Sequence, residues 1–111
     1  MDLDVLGATL ETYLGEHNFR CFTGKEADVD GYRRTIKSVS LGEEGGEYRI
    51  ELKATGFMRY MVRMMLGVAF RVAAGKLGPD YIAARFRDPS LGPVPYMAPA
   101  EGLYLKEVLY K

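Results

Sequence analysis

Cysteine and histidine are nearly absent from this chain, which has Cys21 and His17 and no other of either kind. A single cysteine excludes an internal disulfide and a multi-cysteine metal centre, and its scarcity fits a reducing compartment. Zinc needs three or four ligands, and His17 and Cys21, four residues apart, have no second pair to join. They read as an ordinary helix-end or loop pair. With one histidine, no Ser-His-Asp arrangement finds support. Glycine-rich phosphate loops are absent. So is charge imbalance: 15 basic and 15 acidic residues give a formal net charge of zero. Bulk charge therefore offers nothing to a polyanion, and contact with RNA would need a local patch. Long uninterrupted apolar runs are missing too. The longest is broken by Arg59, Arg63 and Arg71, which argues against a membrane span. Asp2 and Asp4 occupy the place of a signal peptide's positive n-region. These absences describe a soluble cytoplasmic domain.

What is present is a globular composition. Of the 111 residues 48% are apolar, enough for one domain with a hydrophobic core. Leu3, Leu6, Leu10, Tyr13 and Leu14 recur at helical spacing, with Gly15 as a C-cap. His17 to Phe22 is short and partly apolar, and residues 23–31 read as a loop in which Asp28 and Asp30 are turn residues. Residues 35–41 alternate, imperfectly near the centre; Gly42 to Gly46 turn the chain; Tyr48 to Ala54 alternate cleanly, apolar on even numbers. This predicts a hairpin with one buried face. The strongest helix covers 57–74 and stops before Gly75. Pro79 and Asp80 start another, which continues from Tyr81 to Arg87. Residues 88–102 hold Pro89, Pro93, Pro95 and Pro99 in an irregular connection, long for a compact domain and of the kind that often carries function. Leu103 to Tyr110 reads as a final strand. The order predicts an α+β fold, with helices packed on one face of a small antiparallel sheet.

Arg63 stands out. It falls between Met61-Val62 and Met64-Met65-Leu66, and a guanidinium is costly to bury unless aligned hydrogen bonds meet it. On the predicted helix Arg59, Arg63 and Gly67 lie four residues apart and share a face, while the other faces are apolar. The basic stripe sits in the first half of the helix, where the macrodipole disfavours cations by ~0.3–1 kcal/mol. An anion facing the stripe removes the conflict. Snorkelling to water or a structural carboxylate also would, and spacing alone does not choose. Gly67 costs ~1 kcal/mol relative to alanine inside a helix, which close approach of another backbone would compensate. Gly102, just before the last strand, either permits a tight backbone approach or is a plain loop-to-strand joint.

Phe57-x-x-x-Met61-Val62-Arg63-x-x-x-Gly67, followed by Ala98-Pro99-Ala100-Glu101-Gly102-Leu103-Tyr104-Leu105, resembles the C-terminal half of the tRNA pseudouridine synthase I (TruA) family. Gly15-x-His17-Asn18-Phe19-x-x-Phe22 is similar to that family's Gly-x-His-Asp-Phe-x-x-Phe segment, and Arg34-Thr35-Ile36 to its Arg-Thr-Ile strand entry. Together these segments span nearly the whole chain. The resemblance implies an isomerase acting on uridines of the tRNA anticodon stem-loop. The reaction breaks the glycosidic bond, rotates the uracil and reattaches it through carbon, using an essential aspartate and neither metal nor organic cofactor. That aspartate belongs to a Gly-Arg-Thr-Asp motif in the family's N-terminal half, and no such motif occurs here. Residues 1–111 are therefore expected to be a C-terminal domain, inactive alone. Its expected partners are tRNA, the N-terminal half of the same enzyme and, in a homodimer, a second copy.

For individual residues the resemblance implies that Arg63 pairs with and orients the catalytic aspartate. A bidentate guanidinium fixes a carboxylate and keeps it ionised, as nucleophilic attack requires. Gly102 and Leu103 belong to the substrate-binding segment, Leu103 packing against the target base. Arg59 is the candidate for RNA phosphate, and Phe57 reads as core. A non-catalytic RNA-binding or dimerisation module of α+β type is the alternative. An upstream reading frame that runs into Gly-Arg-Thr-Asp would separate the two.

Overall fold

Asp2 starts the fold: its carboxylate accepts from the backbone N–H of Asp4 at 2.8 Å and caps helix α1, Leu3–Glu11. The computed structural model describes residues 2–24, 31–99 and 103–110. Asp28, Asp30 and Gly102 lie outside the described residues. Helix α1 buries Leu6, Thr9 and Leu10. It ends before the apolar stripe does, yet Tyr13 in the following turn is fully buried. The Tyr13 hydroxyl donates to the Met65 carbonyl at 2.7 Å, which offsets the cost of burying a phenol. Gly15 is not a cap. With φ +97° it is the first residue of strand β1, Gly15–Asn18, which the sequence reading left unassigned.

Strand β2, Arg33–Glu44, pairs antiparallel with β1 and with β3, Glu47–Ala54. The register of β2 shifts between Ile36 and Ser38, a bulge at Lys37. That extra residue is the physical source of the imperfect alternation. Ile36 is buried and Val39 and Leu41 are half-buried, so the inward set resumes three positions on. Gly45 and Gly46, at φ +60° and +81°, make the two-residue turn into β3, and two left-handed positions in a row define a type I′ hairpin. In β3 Ile50, Leu52 and Ala54 are buried, whereas Arg49 and Glu51 face water.

The α+β class and the one-sided placement of the helices are as expected, with one refinement. Strand β4, Leu103–Leu109, pairs parallel with β3, so the sheet is mixed, in the order β1-β2-β3-β4. A parallel neighbour needs a long crossover rather than a hairpin. Here the crossover contains helices α2, Met61–Ala73, and α3, Tyr81–Arg87. The core joins Ile36, Ile50 and Leu52 of the sheet to Leu6 and Leu10 of α1 and Met61, Met65 and Leu66 of α2. Among the described residues no helix is long and apolar enough to cross a membrane.

Helix α2 begins four residues later than its apolar run. Tyr60 stands before it at φ +63°, the left-handed region, and Met61 N–H bonds back to Met58 O at 3.0 Å in a turn. Arg59 is therefore outside the helix, and the stripe predicted for Arg59, Arg63 and Gly67 begins instead at Arg63. At the other end the expected stop is present. Lys76 N–H bonds to Arg71 O and Gly75 N–H to Val72 O, with Gly75 at φ +76°, a Schellman cap.

Candidate active site

Arg63 is half-buried, and its first partner is a carbonyl rather than a carboxylate. Nε and Nη2 donate to Ala98 O at 3.1 and 2.9 Å, and the N–H of Ala98 returns a bond to Arg63 O at 2.9 Å. The proline-rich segment thus lies across α2 as a strap. Its approach is close at Gly67, where an added Cβ would meet Met97 N at 2.7 Å and Tyr96 C at 2.8 Å. The backbone contact expected from Gly67 is there, and no larger residue fits beneath it. One turn further on, Arg71 donates to Gly67 O at 3.1 Å and lies over the Tyr96 ring at 4.3 Å.

The Ala98 carbonyl occupies one edge of the Arg63 guanidinium. Nη1 has no hydrogen-bond partner among the described residues. The side chain lines a shallow depression of about 270 Å³ at the start of α2, whose wall includes Met58, Met61, Val62 and Tyr60. A guanidinium so held can receive a carboxylate bidentately without first paying the entropy of ordering its own side chain.

Arg59 reaches the same depression from the preceding turn. Its Nη2 donates to the Tyr60 hydroxyl at 3.1 Å, its guanidinium lies 4.9 Å from the Tyr60 ring centre, and its carbonyl accepts from Thr23 Oγ1 at 2.9 Å. Both Arg59 and Tyr60 are exposed. Phe57 is half-buried against the core. Leu103 is the first residue of β4, opposite Tyr48, and packs against the core at a distance along the strand from the depression. The described structure does not bring it to Arg63.

Glu107 is the residue the sequence reading missed. It lines the depression from β4, opposite Leu52 in register, yet it forms no ion pair with Arg59 or Arg63 among the described residues. A signal was available: Leu103, Leu105 and Leu109 share its strand parity, so Glu107 is a charge in an apolar series. Tyr60 was missed as well, and no glycine or asparagine marked its left-handed turn.

His17 and Cys21 face different partners. His17 Nε2 lies 2.8 Å from Leu14 O with its ring stacked on Phe86 at 4.1 Å, and Cys21 Sγ donates to Pro89 O at 3.4 Å. Burial pushes the Cys21 thiol above its ordinary pKa. Among the described residues no three His, Cys, Asp or Glu side chains gather as a metal set.

A family model described as tRNA pseudouridine synthase matches residues 10–111. Similar curated proteins include the tRNA pseudouridine synthase A of Mycoplasmoides gallisepticum, 32% identical over 100% of this chain and 41% of its own length. That of Acetivibrio thermocellus is 33% identical over 99% of this chain and 45% of its own. That of Aquifex aeolicus is 34% identical over 98% and 44%. The chain thus spans less than half the length of these relatives.

Proposed function

The chain belongs to the tRNA pseudouridine synthase family, and from that premise we propose that it is the C-terminal domain of an enzyme that isomerises uridine to pseudouridine in the tRNA anticodon stem-loop. One observation carries the reading. Arg63, at the family's Met-Val-Arg position, is braced by the Ala98 carbonyl on one edge and leaves Nη1 unclaimed in an open depression. A carboxylate arriving there would accept parallel N–H···O bonds, which favour its charged form and fix its direction. That is the state a nucleophilic aspartate needs. The N-terminal half of the enzyme supplies the aspartate. Glu107 stands near but does not take its place.

Met58, Met61 and Val62 supply the apolar part of the wall beside that ion pair. Arg59, exposed and propped on Tyr60, is the proposed contact to RNA phosphate. The outer edge of β4 has no strand partner among the described residues, and Leu109 and Tyr110 beside it are 59% and 47% exposed. An uncovered edge with apolar side chains favours a docked partner, here the N-terminal half. The other proposed partners are tRNA and a second copy of the enzyme, and the proposed location is the cytoplasm. Leu103 and Gly102 remain the proposed base-contacting segment.

Tritium release from labelled uridine in tRNA tests this. The isolated chain should release none, and the chain joined to a half bearing Gly-Arg-Thr-Asp should turn over. Arg63→Ala in the joined protein should abolish turnover and leave tRNA affinity near wild type. Release by the isolated chain, or a joined Arg63→Ala protein with ordinary activity, would overturn the reading.

A further inference from the structure

Arg63, Gly67 and Arg71 form one row along α2, at successive intervals of four residues. The strap meets that row in reverse order: Ala98 at Arg63, Met97 and Tyr96 at Gly67, and Tyr96 again at Arg71. The strap has few bonds of its own. Pro93, Pro95 and Pro99 have no N–H. From Pro93 onward, among the described residues, its engaged backbone donors are Val94, to Cys21 O at 2.8 Å, and Ala98, to Arg63 O at 2.9 Å. Between those two anchors Tyr96 is held by Arg71 on its face and by a tilted contact with the Tyr81 ring at 6.4 Å, and Arg71 is the one of the two that belongs to α2.

Arg71 is itself directed. Its Nη1 bond to Gly67 O turns the guanidinium along the helix and lays it on the Tyr96 face. It has no carboxylate partner among the described residues, so the ring and the helix carbonyl are what fix it. A strap free to lift at Tyr96 would carry Ala98 O away from Arg63, two residues on. We infer that Arg71, acting through Tyr96, is a positioning residue: it presses the strap onto α2 and so fixes the Ala98 carbonyl that aims the Arg63 guanidinium. Its effect on catalysis rests on the function proposed above; its effect on Arg63 does not.

The first arm uses this chain alone. Nitrogen-15 NMR follows hydrogen exchange at Arg63 Nε–H, with the Met65 amide in mid-α2 as control. In Tyr96→Ala and Arg71→Ala the Arg63 Nε–H should exchange about three- to fivefold faster, the ratio expected for losing one cation–π contact. The Met65 amide should keep its rate. Tyr96→Phe and Arg71→Lys, which preserve a ring and a cation, should return Arg63 towards wild type. An unchanged Arg63 Nε–H in folded Tyr96→Ala overturns the inference. Acceleration of Met65 in step with Arg63 does so too, because it would report only lost stability. The second arm uses the joined synthase: kcat for tritium release should fall by a comparable factor with KM for tRNA unchanged. A shift in KM alone would make Arg71 an RNA contact and overturn the positioning role. If the joined wild-type protein releases no tritium, the proposed function fails, and the exchange arm still decides whether Arg71 positions Arg63.

Discussion

Arg63 and Ala98 hold each other from both sides: the side chain of one grips the carbonyl of the other at 2.9 and 3.1 Å, and the amide of Ala98 returns to the Arg63 carbonyl at 2.9 Å. The pairing joins the start of α2 to the strap. It resolves the cost of a cation in an apolar helix without a carboxylate, and it orders the guanidinium before any partner arrives.

Arg63→Ala should therefore destabilise the chain as well as remove chemistry. Loss of a forked, charge-assisted contact and exposure of the Ala98 carbonyl should cost about 1–3 kcal/mol. Lysine offers one compact charge instead of a fork, so Arg63→Lys should recover only part. Urea midpoints with unchanged slopes would measure both.

Gly67→Ala sets two effects against each other. Alanine gains ~1 kcal/mol of helix propensity over glycine. Its methyl would also press on backbone atoms of Tyr96 and Met97 at 2.7–2.9 Å, too close to accommodate without moving the strap. Overpacking against backbone costs about 1–3 kcal/mol, so the net change should be destabilising. Thermal unfolding would show it, and a higher melting temperature would refute the contact.

The hairpin gives a cleaner backbone test. Gly45 and Gly46 occupy left-handed positions with open space around each Cβ, so only conformation is at stake. Gly46→Ala should cost about 1 kcal/mol. Gly45→Asn should be nearly neutral, because asparagine tolerates this region and suits a type I′ turn. The two urea midpoints should differ in that order.

Alkaline pH should weaken the fold. Burial raises the Tyr13 phenol well above its ordinary pKa of 10.0, and Tyr81 is raised by the same cause. The unfolded chain then loses these protons first. The tyrosines' contribution is fully present below pH 10.0 and declines as pH rises from there towards their folded-state values. The slope approaches about 1.4 kcal/mol per pH unit for the fully buried Tyr13. Tyr13→Phe should flatten that alkaline limb and cost about 1 kcal/mol at neutral pH through the lost bond to Met65 O. Denaturation at a series of pH values checks both.

Much of the fold was legible because local patterns and tertiary burial agree. The even-numbered residues of β3, the double glycine of the hairpin and Gly75 after α2 each carry their own signal. The bulge at Lys37 was legible only as a blemish in the alternation. Tyr60 misled: an apolar run with helical spacing continued through a residue in the left-handed region, so Arg59 was placed on a face it does not share. Glu107 was readable by strand parity, but its nearness to Arg63 depends on how β4 meets β3.

The chain alone determined which residues are special. Arg63 had to find acceptors because a buried guanidinium is costly, and Gly67 had to give something in return for its poor helix propensity. Those are energies of single residues against water and backbone, and they do not depend on the rest of the fold. Which groups answer them was decided by tertiary structure. Residues 96–98 lie twenty-five or more positions from α2's row, and only the crossover that sets β4 parallel to β3 brings them back across it. Contacts of that separation arise from packing many elements at once, and no local periodicity encodes them.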